Sequence, residues 1–222
     1  MKGGSDFFMI KPTSCSNKPL LFVLLILAFV ASSAQEPAKN RATPQKLRIV
    51  SFRGDLRGLL GSLAETDGVV IGFETDPQSP LLVKVEARDV NFHQLLDVIV
   101  LNHPQYRWRN VDDSIEFSPV SGGSPVLDTV IRNFAVKDVN FSEATDILFN
   151  LPEVRGSLAA MALTRNEEGY RPRTPGVAFS LRLEQVTVRR ALHEIARKSG
   201  TNFWSFRQFG DKERFFSLRT SM

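Results

Sequence analysis

The sequence predicts an α+β protein of two tandem small domains, each a mixed sheet covered by two helices in the order β-α-β-β-α-β-β. Three observations carry this reading. First, four stretches begin with a cap-forming residue, at Asp55, Asn91, Asn140 and Thr187. Each continues with apolar or small residues at helical spacing: Leu56/Leu59/Leu60/Leu63, Phe92/Leu95/Leu96/Ile99, Phe141/Ala144/Thr145/Leu148 and Val188/Ala191/Leu192/Ile195. That spacing makes one apolar stripe per helix. A short side-chain oxygen ahead of it accepts from an orphan helix N–H. Second, a Val precedes three of the caps (Val90, Val139, Val186), where it staples onto the first turns. The text Asp-Val-Asn-Phe occurs twice, at 89–92 and 138–141, as expected of a repeated module. Third, each half ends in a hairpin pattern rich in aromatics.

The elements follow in order. A strand is expected over residues 47–52, and a helix from Leu56 to about Thr66, ended by Gly68 as a left-handed cap. Strands follow over 69–73 and 82–87, separated by a Pro-rich turn at 76–80. The second helix covers 92–102 and stops at His103-Pro104. Strands 106–109 and 114–117 close the first half as a hairpin across Asn110–Asp113. The Ser-Gly-Gly-Ser-Pro run at 121–125 separates the halves. The second half repeats the order with strand 126–134, helix 141–150, strand 177–183, helix 188–198 capped by Gly200, and a hairpin from 203–207 and 214–218. Residues 151–176 have no counterpart in the first half and read as an insertion. The domains are therefore placed at 46–119 and 126–222, with a linker at 120–125.

The first 34 residues are set apart. Lys2, Lys11 and Lys18 precede an apolar run over residues 20–31, which is short for a membrane span, and Ser32-Ser33-Ala34 offers a small-residue cleavage site. This is the pattern of a secretory signal peptide, followed by a Pro-containing linker at 35–45. Its removal takes away Cys15, the sole cysteine, and with it any disulfide, thiolate nucleophile or cysteine metal site. It also removes three Lys and Asp6, lowering the formal charge from +4 to +2. That is too small to argue for nucleic acid or an anionic membrane. A periplasmic or otherwise exported chain is expected, with no membrane span after cleavage.

Residues 56–64, 68–71, 83–99, Tyr106-x-Trp108 and Ser114-Ile115-Glu116-Phe117 together resemble the short N-terminal domain of secretins and TonB-dependent receptors, and the related secretin N-domains. The stretch from Val186 to Phe203 resembles it again in the second half. The resemblance implies periplasmic modules that bind partner proteins and carry no catalytic residues. A freestanding pair of such modules is expected, since no segment for a channel ring or receptor barrel follows.

The residues themselves point away from catalysis. There is no Gly-x-Ser-x-Gly elbow, phosphate-binding glycine loop or His-Glu-x-x-His pair. His93, His103 and His193 lack ligand spacing and are expected at solvent-facing or helix-end positions. Asp112-Asp113 suits a turn, and Glu167-Glu168 a solvated loop. Tyr106, Trp108, Trp204 and Phe206 are expected to pack beneath the helices. No catalytic residue, metal or cofactor is assigned. The expected function is a non-enzymatic protein-interaction module of the cell envelope, acting through sheet edges or through the 151–176 segment. Arg165, Tyr170, Arg171 and Arg173 are the candidate partner contacts, because arginines form charge-assisted bonds with acidic groups. A structural role in a secretin, pilus or TonB-type system, and an enzyme acting on an envelope polymer, are the alternatives.

Overall fold

The computed structural model describes residues 48–75, 82–166, 177–210 and 214–220. The expected signal peptide, linker at 35–45 and turn at 76–80, and the end of the expected insertion with Glu167, Glu168, Tyr170, Arg171 and Arg173, lie outside the described residues. The fold is α+β with mixed sheets. Gln45–Met222 forms one compact unit. The first half contains β1 (Arg48–Asp55), α1 (Leu56–Asp67), β2 (Val70–Thr75), β3 (Leu82–Val90), α2 (Phe92–Asn102), β4 (Tyr106–Val111) and β5 (Ser114–Pro119). The second contains α3 (Pro125–Asp128), β6 (Val130–Val139), α4 (Phe141–Phe149), α5 (Pro152–Ala160), β7 (Leu163–Arg165), β8 (Phe179–Thr187), α6 (Val188–Ser199), β9 (Phe203–Phe209) and β10 (Arg214–Thr220).

All four expected caps close their helices. Asp55 accepts from Arg57 N–H, and Thr187 from Arg190 N–H. Asn91 with Gln94 and Asn140 with Glu143 form capping boxes, each satisfying two orphan donors reciprocally. Gly68 and Gly200 end α1 and α6 in the left-handed region, at φ of 64° and 73°. The repeated Asp-Val-Asn-Phe text has a backbone reason. Asp89 and Asp138 both adopt φ of 53°, inside the register irregularities of the β1–β3 and β6–β8 ladders. Asp tolerates this conformation better than most side chains. The resulting bulge turns the strand into the following helix.

The strands form three sheets. β1 pairs antiparallel with β3, and β6 pairs antiparallel with β8. The third sheet has six strands in the order β4-β5-β2-β9-β10-β7, so it draws on both halves. Within it β5, β2 and β9 run parallel, while β4 and β10 run opposite to them. Ile71–Thr75 of β2 lie beside Phe203–Arg207 of β9, and this pairing joins the halves.

Two apolar cores lie on opposite faces of that sheet. One gathers Leu56, Leu60, Ile71, Phe73, Leu95, Leu96, Ile99, Tyr106, Ile115 and Phe117. The other gathers Phe134, Phe141, Leu148, Ala191, Leu192, Ile195, Trp204, Phe206, Phe216 and Leu218. Side chains alternate across a strand, so the strands at the junction serve both cores. In β2, Ile71 and Phe73 enter the first core and Val70 the second. In β9, Phe203 enters the first core, beside Gly61 of α1, while Trp204 and Phe206 enter the second.

The structure departs from sequence expectation at two places in the second half. Residues 125–128 are a helical turn rather than the start of a strand, because Pro125 sits in the first turn and presets its φ. Strand β6 then begins at Val130. The start of the 151–176 segment, read as an insertion, is part of the fold. Pro152 initiates α5, whose Val154 and Leu158 are buried in the second core, and Leu163 of β7 joins them. These residues are apolar, and the parallel pairing of β7 with β10 places Leu163 beside the second core.

Leu192→Ala and Leu163→Ala should each destabilise the protein by about 2–5 kcal/mol through cavity formation. Urea melts check this. A neutral Leu163→Ala alongside a costly Leu192→Ala would place β7 outside the cooperative core.

Candidate functional site

The β2–β9 junction brings a charged cluster into the interior. Strand alternation sends Glu74 of β2 and Glu116 of β5 to the face away from the first core. On that face α6 lays Arg189 over both. Its Nη2 lies 2.8 Å from Glu74 Oε2 and 3.2 Å from Asp128 Oδ1, and its Nη1 lies 3.4 Å from Glu116 Oε1. Glu74, Glu116 and Arg189 are all buried. Glu116 also takes a forked contact from Arg109 of β4, at 3.0 and 3.1 Å. The other Glu74 oxygen accepts from Ser124 N–H, whose hydroxyl accepts from Gln208 of β9. A Cβ on Gly123 would stand 2.7 Å from Arg189 Nη2 and 2.8 Å from Glu74 Oε2, so the chain between the halves reaches this cluster only as glycine.

Beside the cluster lie His193 and Trp204, edge to face at 5.2 Å. Both are buried, and neither ring nitrogen of His193 nor Trp204 Nε1 has a hydrogen-bond partner among the described residues. Gly72 of β2 makes room for them; a Cβ there would overlap the Trp204 ring and stand 2.8 Å from His193 Cε1. The electrostatics follow from burial. Desolvation raises the Glu74 carboxyl above its ordinary range, against the pull of Arg189 and Ser124. Desolvation opposes the Arg189 charge, yet Glu74, Glu116 and Asp128 outweigh it and the guanidinium is held more firmly protonated. Desolvation, then Arg189, Arg190 and Arg109, push His193 down to about 3, so it stays neutral. His193 is therefore not at the solvent-facing position expected of it, because the junction covers that face of α6.

The residues expected to contact a partner are placed differently. Arg165 lies in β7 and pairs with Asp146 of α4 at 2.6 Å. Tyr170, Arg171 and Arg173 fall outside the described residues. Tyr106, Trp204 and Phe206 pack in the cores as expected. Trp108 is half-buried at the sheet edge, where its Nε1 donates to Asp97 at 2.9 Å and its ring stacks on His93 at 5.4 Å. Asp112 occupies the β4–β5 turn at φ 51° and pairs with Arg190. Among the described residues no three metal-ligating side chains converge, and no helix is long and apolar enough to cross a membrane. Glu74, Glu116 and Arg189 were not singled out by sequence reasoning, and His193, expected at a solvent-facing or helix-end position, is buried. The two glutamates alternate with apolar residues, the usual pattern of a half-wet strand.

No family model matches the chain, and no curated protein is significantly similar to it. What the cluster can do chemically is set by its closure. It holds a salt bridge between halves and presents no exposed nucleophile. Arg189 of the second half pairs with Glu74 and Glu116 of the first, across the β2–β9 junction.

Arg189→Met should cost about 3–5 kcal/mol, because it leaves buried carboxylates uncompensated. Adding Glu74→Leu should recover part of that loss. Denaturant melts of both variants decide it, and a harmless single substitution would show the cluster to be solvated.

The buried histidine has a pH consequence. Its unfolded form binds a proton near 6.5, but the folded form excludes it until about 3. Across that window the unfolded chain holds more protons, so stability is lost as pH falls. The loss is about 1.4 kcal/mol per pH unit for this group. His193→Leu should flatten the stability profile between about pH 6.5 and 5, above the range where ordinary carboxylates titrate. Parallel wild-type and variant slopes would contradict the assignment.

Proposed function

We propose that the protein is an exported, non-enzymatic interaction module of the cell envelope, built from two tandem modules of the secretin and TonB short N-terminal type. In this reading it acts in the periplasm or a comparable exported compartment and recruits a partner protein by strand addition to a sheet edge. The observation that carries the reading is the outer edge of β4, which has no neighbouring strand among the described residues. This strand ends the six-stranded sheet, and Arg107, Arg109 and Asn110 on it are exposed. An edge strand presents unpaired backbone donors and acceptors to another chain. The leader pattern before residue 35 supports export. The 151–176 segment keeps a part only through Tyr170, Arg171 and Arg173, because the residues from Val154 to Leu163 serve the core.

The backbone phase of β4 provides the test. Val120 N–H donates to Gln105 O, and Tyr106 N–H to His103 O. By alternation Trp108 and Asn110 turn their amides outward, away from β5. Asn110→Pro should remove an outer donor and leave the β4–β5 ladder intact. Captured from envelope extracts, the wild-type chain should bring down a defined protein that Asn110→Pro loses while melting normally. Loss of the same protein by Arg171→Ala/Arg173→Ala instead would move the contact to the loop. Turnover of an envelope polymer by the purified chain, with no captured protein, would overturn the reading.

A further inference from the structure

We infer that β9 and β10, on the sheet face that carries the first core, form a docking surface for an acidic peptide segment of a partner protein. Arg57, Arg207 and Arg219 take its carboxylates, and Phe209 and Phe215 take an aromatic residue beside them. The inference rests on the interaction-module reading above and names the surface and the chemistry of the partner.

Strand alternation builds the surface. Phe203 enters the first core, while Trp204 and Phe206 enter the second. Ser205, Arg207 and Phe209 therefore share the face of Phe203. On β10, Phe216 and Leu218 enter the second core, so Phe215, Ser217 and Arg219 face the other way. The ladder sets Phe209 against Phe215, Arg207 against Ser217, and Ser205 against Arg219. Arg207 and Arg219 are thus diagonal neighbours, about 7–8 Å apart, within reach of long side chains. Helix α1 supplies the third arginine. Gly61 packs on Phe203, and Arg57 lies one turn earlier on the same helix face.

The charges on this surface are one-sided. Arg207 and Arg219 are exposed, and no carboxylate among the described residues pairs with either. Arg57 meets Asp55 at 3.4 Å, but that carboxylate also caps α1 through Arg57 N–H. The three guanidiniums act on one another. Burial lowers Arg57 below its ordinary range, Asp55 opposes this, and Arg219 and Arg207 lower it further. Like charges on neighbouring strands oppose folding, and an anion seated among them removes that opposition.

The aromatic pair points to the same ligand independently. Phe209 and Phe215 stack at 5.8 Å, and the Arg207 guanidinium stands 5.7 Å from the Phe209 ring. Both rings are half-buried, yet neither belongs to either apolar core. Ser205 and Ser217 are buried between the longer side chains, so a low, hydroxyl-bearing floor separates the rings from Arg219.

Spacing and charge favour a peptide. Phe215 and Arg219 lie four residues apart on one strand, about 13 Å. An extended segment with an aromatic residue and acids beside it spans that distance. A single small anion would reach the arginines and leave the rings unused. Arginine also matches the two oxygens of a carboxylate in a forked contact. The formal charge of +2 expected once the first 34 residues are removed gives little attraction to an anionic membrane.

The test uses purified protein beginning at Gln35, which contains the whole compact unit Gln45–Met222, and a short peptide alternating Glu with Phe. Titration calorimetry should show binding that weakens as salt rises. The peptide with Gln in place of Glu, or with Ser in place of Phe, should bind at least about tenfold more weakly. Arg207→Gln and Arg219→Gln should each weaken binding of the first peptide by about tenfold, with melting unchanged or higher because repulsion is relieved. The peptide arms keep the inference testable if an arginine variant folds poorly. Equal binding of the Gln peptide, or arginine variants that melt lower and keep the peptide, would overturn it. So would inorganic phosphate binding as tightly as the peptide, or phosphatidylglycerol vesicles binding where the peptide does not. An envelope protein captured by wild type and by Asn110→Pro but lost by Arg219→Gln would support this surface. If no peptide binds and Asn110→Pro still loses a captured protein, this surface falls and the interaction-module reading stands.

Discussion

The parallel pairing of β2 with β9 is the constraint on which the rest of the structure depends. It merges two three-stranded ladders into one six-stranded sheet and places a core on each face. Once the strands are joined, every second residue of β2 must serve the second core. That requirement accounts for Gly72, which admits Trp204 and His193, and for Glu74, which would be a solvated strand residue in an isolated half. Arg189 then answers two carboxylates that the sheet has withdrawn from water. A buried ion pair of this kind adds little net stability over an apolar contact. Its contribution is specificity: a slip of β2 by one residue would turn Glu74 into the first core and leave the guanidinium without its partner.

The same constraint explains the uneven burial of the two equivalent helices. Helix α6 is basic on the face where α2 is mixed, and it buries residues whose counterparts on α2 stay open. The asymmetry arises because β2 covers α6 from within the chain, while no strand among the described residues does the same beside α2. Edge strands are commonly shielded by charge or by being short. Both devices occur here. β7 has three residues and is flanked by the Arg165–Asp146 pair, while β4 carries Arg107 and Arg109. These features limit promiscuous pairing.

His193 is held neutral by burial and by three nearby arginines, and its ring packs edge to face on Trp204. Neither nitrogen is satisfied among the described residues, so the site costs desolvation energy that the surrounding packing must offset. This ties the stability of the junction to pH, and the interior of the second half to the way the first half covers it.

The sequence by itself determined the local structure. The helix starts at Asp55, Asn91, Asn140 and Thr187, the glycine stops and the hairpins all follow from capping chemistry, spacing and turn residues, which act within a few positions along the chain. The buried stripes followed too, because helical periodicity identifies an inward face without knowledge of the neighbour. The helical turn at Pro125 and the use of residues 152–165 in the core were written in apolar and proline residues, yet required knowing that β10 lacked a neighbour. Only the tertiary structure decided that the halves share a sheet. Glu74 and Arg189 are far apart in the chain and each reads locally as a wet surface residue. Strand alternation states which residues share a face; it does not state what will be placed against that face. The junction and the buried histidine both depend on that second fact, which arises only when the two halves meet.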